Sequence, residues 1–224
     1  PMQEEQRIRI FIGEFGSGKT ELALNYSAWL REQGLKTAVV DLDVIKPYFR
    51  TRESQQWLMQ KEIELVAPEA RFAHSDLPIL PPQFQRVAAD ASYQVVVDVG
   101  GGDAAIALGQ YQKMLEQQGY EAWMIINTRR PFTQSVAEIC QRSQEITNVA
   151  KLQLSGLVCN TTLGAETTWA EVEEGIAIVE KAAQELSLPL RMVVVPQWLA
   201  EKAAALAHRV FVLEPQTRYP WMEI

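Results

Sequence analysis

Short apolar runs alternate along the chain with longer segments of helical period. Residues 8–12 read as a strand that closes on a glycine. Residues 19–33 follow, with Leu22, Tyr26, Trp29 and Leu30 spaced i, i+4, i+7 and i+8, and Gly34 stands where a helix would stop. Further strands are expected at 37–42, 63–66, 94–99, 122–127, 154–160, 190–195 and 210–213. Further helices are expected at 49–61, 82–91, 103–118, 133–147, 168–186 and 197–207. The run QVVVDV at 94–99 is almost purely β-branched, as in a strand buried on both faces. Residues 67–82 form a loop rich in Pro, Ala and Asp.

Strands alternating with helices through short connections mean βαβ units. The expected fold is α/β: a doubly wound, mostly parallel sheet of seven or eight strands with helices on both faces. At 224 residues, with no repeat and no linker, residues 2–224 read as one domain. Pro1 precedes the first methionine and reads as a cloning remnant.

The first strand runs into GEFGSGKT. Gly13, Glu14, Phe15, Gly16, Ser17, Gly18, Lys19 and Thr20 match G-x-x-x-x-G-K-[ST] in strand–helix context, the pattern of a phosphate-binding loop. Glycines let successive backbone N–H groups turn toward phosphate oxygens, and the following helix adds its positive end. Lys19 is placed to reach the β- and γ-phosphates, and the Thr20 hydroxyl to ligate Mg²⁺. The glycine spacing is not the G-x-G-x-x-G of dinucleotide folds, which sets an oxidoreductase aside.

Acids stand at the ends of two apolar strands, where open α/β sheets bind ligands. Asp41 and Asp43 lie in VVDLDV, and Asp98 ends VVVD. Asp98 suits a Walker-B role near Mg²⁺, and Asp43 is placed to orient water or the metal's hydration shell. Gly100, Gly101 and Gly102 leave room for a γ-phosphate and for movement when it departs. Lys46, Arg50 and Arg52 follow Asp43, and Arg129 and Arg130 follow the strand at 122–127. These basic residues are either phosphate contacts or solvated loop charges.

The phosphate loop, KTAVVDLD, VVVDVGG and GLVCN together resemble the MinD/ParA branch of P-loop NTPases, the CobQ/CobB/MinD/ParA nucleotide-binding group. The resemblance implies that Lys19, Asp43 and Asp98 serve catalysis, with Thr20, Asp43 and Asp98 around the metal. It also implies that Asn160, Pro196 and Gln197 contact adenine. That group often carries a second lysine at the position of Glu14, which crosses to a partner subunit's γ-phosphate. A carboxylate about 4 Å from phosphate costs about 4 kcal/mol at an effective dielectric near 20. A nucleotide-sandwiched dimer is therefore not expected unless Glu14 turns to solvent or is neutralised by Arg50 or Arg52.

Three functions follow from this. One is a slow Mg·ATP hydrolase that switches a partner protein. Another is a small-molecule kinase or carboxylate ligase, resembling dethiobiotin synthetase, acting on a small acidic substrate walled by 74–83. The third is a non-hydrolysing ATP-binding subunit. Absence of the N-K-x-D pattern favours ATP over GTP. The net charge of −7 argues against a nucleic-acid partner. The sequence shows no signal peptide, and the tail TRYPWMEI has no basic amphipathic face for a membrane. Cys140 and Cys159 are too few for a disulfide framework, and the reading is a cytoplasmic protein with reduced thiols.

Overall fold

In a computed structural model, residues 6–42, 52–67, 81–100 and 102–215 are described, apart from the side chains of Arg52, Glu53 and Asp103. The strands are β1 (Ile8–Ile12), β2 (Thr37–Asp41), β3 (Glu64–Val66), β4 (Gln94–Asp98), β5 (Glu121–Ile126), β6 (Gly156–Cys159), β7 (Leu190–Pro196) and β8 (Val210–Leu213). The helices are α1 (Lys19–Glu32), α2 (Arg52–Gln60), α3 (Pro82–Ala89), α4 (Gly102–Gly109), α5 (Gln112–Gln118), α6 (Val136–Ala150), α7 (Trp169–Leu186) and α8 (Ala200–Ala203).

The eight strands form one sheet in the order β3-β2-β4-β1-β5-β6-β7-β8, every neighbouring pair parallel. The expected α/β sheet with helices on both faces is therefore present, with eight strands. Strand alternation decides which helices cover which face. Ile8, Ile10 and Ile12 of β1 pack with α3, α4 and α5. On the other face, Phe11 packs with α1 and with Trp123 of β5. Met124 and Ile126 of β5 face α6 and α7. Parallel pairing puts all strand C-termini on one edge, and β1 lies centrally, with β4 on one side and β5 on the other.

Two expected helices differ. The helix expected at 103–118 is broken into α4 and α5. Gly109 lies against the end of α6, where a Cβ would stand 3.1 Å from the Ala150 carbonyl oxygen. Three-residue turns then take over, Gln110 N–H donating to Ala107 and Tyr111 N–H to Leu108, which seats Tyr111 edge-on to Phe84. The helix expected at 197–207 is a 3₁₀ turn over Gln197–Leu199 followed by the short α8. It buries Leu199 and Ala203 and ends with Leu206 N–H donating back to Ala203. The start of α6 also shifts, because Ser135 caps it by accepting from the Glu138 N–H.

No helix among the described residues is long and apolar enough to cross a membrane. The tail from 216 onward lies outside the described residues.

Candidate functional site

β1 and α1 hold the phosphate loop between them at the C-terminal edge of the sheet. Two of its glycines combine a positive φ with a side chain lying close against them. Gly16 has φ +77, and a Cβ there would lie 2.8 Å from Nε of Arg130. Gly18 has φ +85, and a Cβ there would lie 2.3 Å from the side-chain nitrogen of Asn160. L-residues rarely adopt either conformation, so the motif's glycines serve both the turn and the packing. The loop closes on itself through the Ser17 N–H, which donates to the Glu14 carbonyl at 3.1 Å. Phe15 projects outward, 72% exposed.

Lys19 begins α1 and is buried. Its ammonium folds back over the loop and donates to the Glu14 carbonyl oxygen at 3.0 Å. Thr20, one residue on, donates its hydroxyl to Oδ2 of Asp98 at 2.6 Å. Asp98 is 1% exposed, and it stands in register with Phe11 of β1 and with Asp41 of β2. The structure thus brings Lys19, Thr20, Asp98 and Asp41 together from residues up to 79 positions apart. Asp43, Lys46 and Arg50 lie outside the described residues, as does most of the expected substrate wall at 74–83.

The residues present fit a Mg²⁺-bound phosphate. A hydroxyl and a carboxylate supply hard oxygen ligands, and Mg²⁺ binds through one or two carboxylates with phosphate and water completing its shell. The Ser17 hydroxyl is 1% exposed and has no hydrogen-bond partner among the described residues.

Asn160 follows β6 and is buried, with its side-chain amide donating to the Ser17 carbonyl at 2.8 Å. In this geometry it braces the phosphate loop. Pro196 ends β7 and Gln197 is exposed beside it. Trp198, half-exposed, is fixed by its indole N–H donating to the Thr167 carbonyl.

Two relationships at the loop carry no strong sequence signal. Glu14 forms an ion pair with Arg142 of α6, Nε to Oε1 at 2.7 Å. Among the described residues, Glu14 thus gains its charge partner from a helix 128 positions away; Arg50 and the side chain of Arg52 lie outside the described residues. Arg142 also pairs with Glu145 and lies over the Phe132 ring. The second relationship is the loop from 127 to 133. The Asn127 amide donates to the Thr162 carbonyl, and its oxygen accepts from the backbone N–H groups of Arg129 and Thr162. Thr133 donates to the Asn127 carbonyl at 2.9 Å. Of the two arginines this loop carries, Arg129 pairs with Glu174 of α7, whereas Arg130 lies on Gly16.

The architecture and this loop define a P-loop NTPase-like α/β fold. No protein-family profile matches the chain, and no curated protein matches it in sequence. Solved structures do. Chloroplast FtsY from Physcomitrella patens matches at TM-score 0.55 and 16% identity, over 85% of this chain and 59% of that one. The cell division protein FtsY from Thermotoga maritima matches at TM-score 0.56 and 15% identity, over 87% and 63%. The 54 kDa signal recognition particle protein from Aeropyrum pernix K1, in complex with GDP, matches at TM-score 0.54 and 15% identity, over 86% and 42%. The chain spans about three-fifths of the length of these FtsY chains. These likenesses show a shared fold.

Proposed function

We propose that this chain is a Mg·ATP-binding P-loop protein that hydrolyses ATP slowly and acts as a nucleotide-dependent switch on a partner protein. The observation that carries the reading is the 2.6 Å hydrogen bond from Thr20 to Asp98. It joins the phosphate loop to the strand whose end would sense the metal. When bound, Mg²⁺ would supply neutralisation of the charge that develops on a transferring phosphoryl group. On nucleotide binding Lys19 would exchange the Glu14 carbonyl for phosphate oxygens, Thr20 and Asp98 would hold the metal and its water, and Asp43 would orient the attacking water. Loss of the γ-phosphate changes what the glycines after Asp98 touch, which is the switching event.

The MinD/ParA-like motifs support ATP as the nucleotide. So does the absence of an N-K-x-D pattern from the sequence. Protein partnership is supported by large apolar side chains exposed on the loops of the nucleotide edge, Phe15, Phe132, Leu163 and Trp198. The test is calorimetric titration with Mg·ATP, with GTP as competitor. Lys19→Ala is expected to abolish binding, and GTP to compete poorly. Parental affinity in Lys19→Ala would remove the site assignment, and equal or tighter GTP binding would remove the choice of ATP.

A further inference from the structure

We infer that Arg130 supplies, within the same chain, the positive charge directed at the terminal phosphate of a bound nucleoside triphosphate, a position for which Glu14 offers none. The inference rests on the nucleotide-binding reading above.

Four observations meet here. First, the Arg130 guanidinium lies on the phosphate loop, its Nε close enough to Gly16 that a Cβ there would be 2.8 Å away and Cζ 3.1 Å away. Only a glycine at 16 admits this approach. Second, its two neighbours in charge are already committed: Arg129 to Glu174 and Arg142 to Glu14 and Glu145. Among the described residues Arg130 has no ion-pair partner, and it is exposed. Third, its backbone is held on both sides. Arg130 N–H donates to the Asn127 carbonyl, and Thr133 N–H donates to the Arg130 carbonyl. Asn127 and Thr133, which anchor the turn, are each 1% exposed. Fourth, Phe132 in the same turn has φ +70, a conformation uncommon for a non-glycine residue.

A guanidinium presents several N–H donors in a planar fork and stays charged at any working pH, which suits it to phosphate oxygens. A fixed turn loses little freedom when the contact forms. The extra charge of a triphosphate over a diphosphate is what such a group reads.

The test is a fluorescence titration with N-methylanthraniloyl-ATP and N-methylanthraniloyl-ADP in Mg²⁺. It compares the parent with Arg130→Ala, Arg130→Lys and Arg129→Ala. Arg130→Ala is expected to lose triphosphate affinity by about tenfold, as for one charge-assisted contact, and to keep diphosphate affinity within about twofold. Arg130→Lys recovers most of the triphosphate preference, and Arg129→Ala leaves both affinities unchanged. An unaltered ATP-to-ADP affinity ratio in Arg130→Ala overturns the inference while leaving nucleotide binding intact. A parent that binds neither nucleotide overturns the nucleotide-binding reading itself and this inference with it.

Discussion

The Glu14 carboxylate and the Arg142 guanidinium meet at 2.7 Å, each about a quarter exposed, and so tie the phosphate loop to α6. The pair removes most of the bare negative charge that the sequence places beside the phosphates. It does not make Glu14 a lysine: nothing at this position reaches outward to a second subunit's nucleotide. We therefore expect no face-to-face dimer on adding Mg²⁺ and a non-hydrolysable ATP analogue, with an unchanged mass in sedimentation. An analogue-dependent doubling of mass that a bulky residue at Glu14 abolishes would show the opposite. Partly exposed ion pairs contribute about 1 kcal/mol or less, so Glu14→Ala is expected to shift stability by no more than that in a denaturant titration.

Thr20→Val and Asp98→Asn attack one hydrogen bond from its two ends. Thr20→Val leaves a buried carboxylate without its hydroxyl donor, which costs about 1.5–3 kcal/mol in the apoprotein. For a chain of this size that lowers the melting temperature by roughly 3–12 °C. Asp98→Asn keeps the shape and removes the charge, so its loss should appear in Mg²⁺-dependent nucleotide affinity. Calorimetry with Mg²⁺ and with EDTA separates the two: the affinity loss in Asp98→Asn should vanish when the metal is chelated.

Gly175 lies in the middle of α7, where alanine normally stabilises by about 1 kcal/mol. Here the sign should reverse. A Cβ at 175 would stand 2.1 Å from the Thr161 hydroxyl, which is buried and bonded to the Thr128 hydroxyl at 2.9 Å. Gly175→Ala must push α7 away from the end of β6, at about 1–3 kcal/mol of overpacking. The denaturant midpoint should fall in Gly175→Ala and recover in Gly175→Ala combined with Thr161→Ala.

Burial pushes the Cys159 thiol from 9.0 up to about 11, with the Thr161 hydroxyl opposing. Burial also raises Cys140, and the Glu185 carboxylate beside it acts in the same direction. Both thiols should react slowly with Ellman's reagent at pH 8 in the native protein and at once in guanidinium. The folded state keeps a proton on Cys159 that the unfolded chain releases. That contribution to stability is full below pH 9.0 and is lost as pH rises toward about 11, on the order of 2 kcal/mol. The decline in denaturant midpoint between pH 8.5 and pH 10.5 should be shallower in Cys159→Ala than in the parent.

The parallel sheet and the phosphate-loop turn were legible from the sequence, and so was the choice of Thr20 and Asp98, which the fold joins by a hydrogen bond. They follow from local rules: β-branched runs, helical period, and a glycine spacing that only one kind of turn satisfies. Where helices end was less legible. Gly109, where α4 ends, lies against the end of α6, a contact no window of residues contains.

The partners of single charges were decided by tertiary structure alone. In the sequence Arg129 and Arg130 follow one strand and Arg142 falls within the next helix. The fold sends Arg129 to Glu174, Arg142 to Glu14, and Arg130 to the face of Gly16. Asn160 reads as a strand-end amide, and it is the neighbouring positions of β1 and β6 across β5 that turn it onto the Ser17 carbonyl. Periodicity specifies which face of an element is buried, because burial repeats along the chain. A side chain's charge partner depends on which loops the sheet order brings together, and that order is set by packing between distant segments.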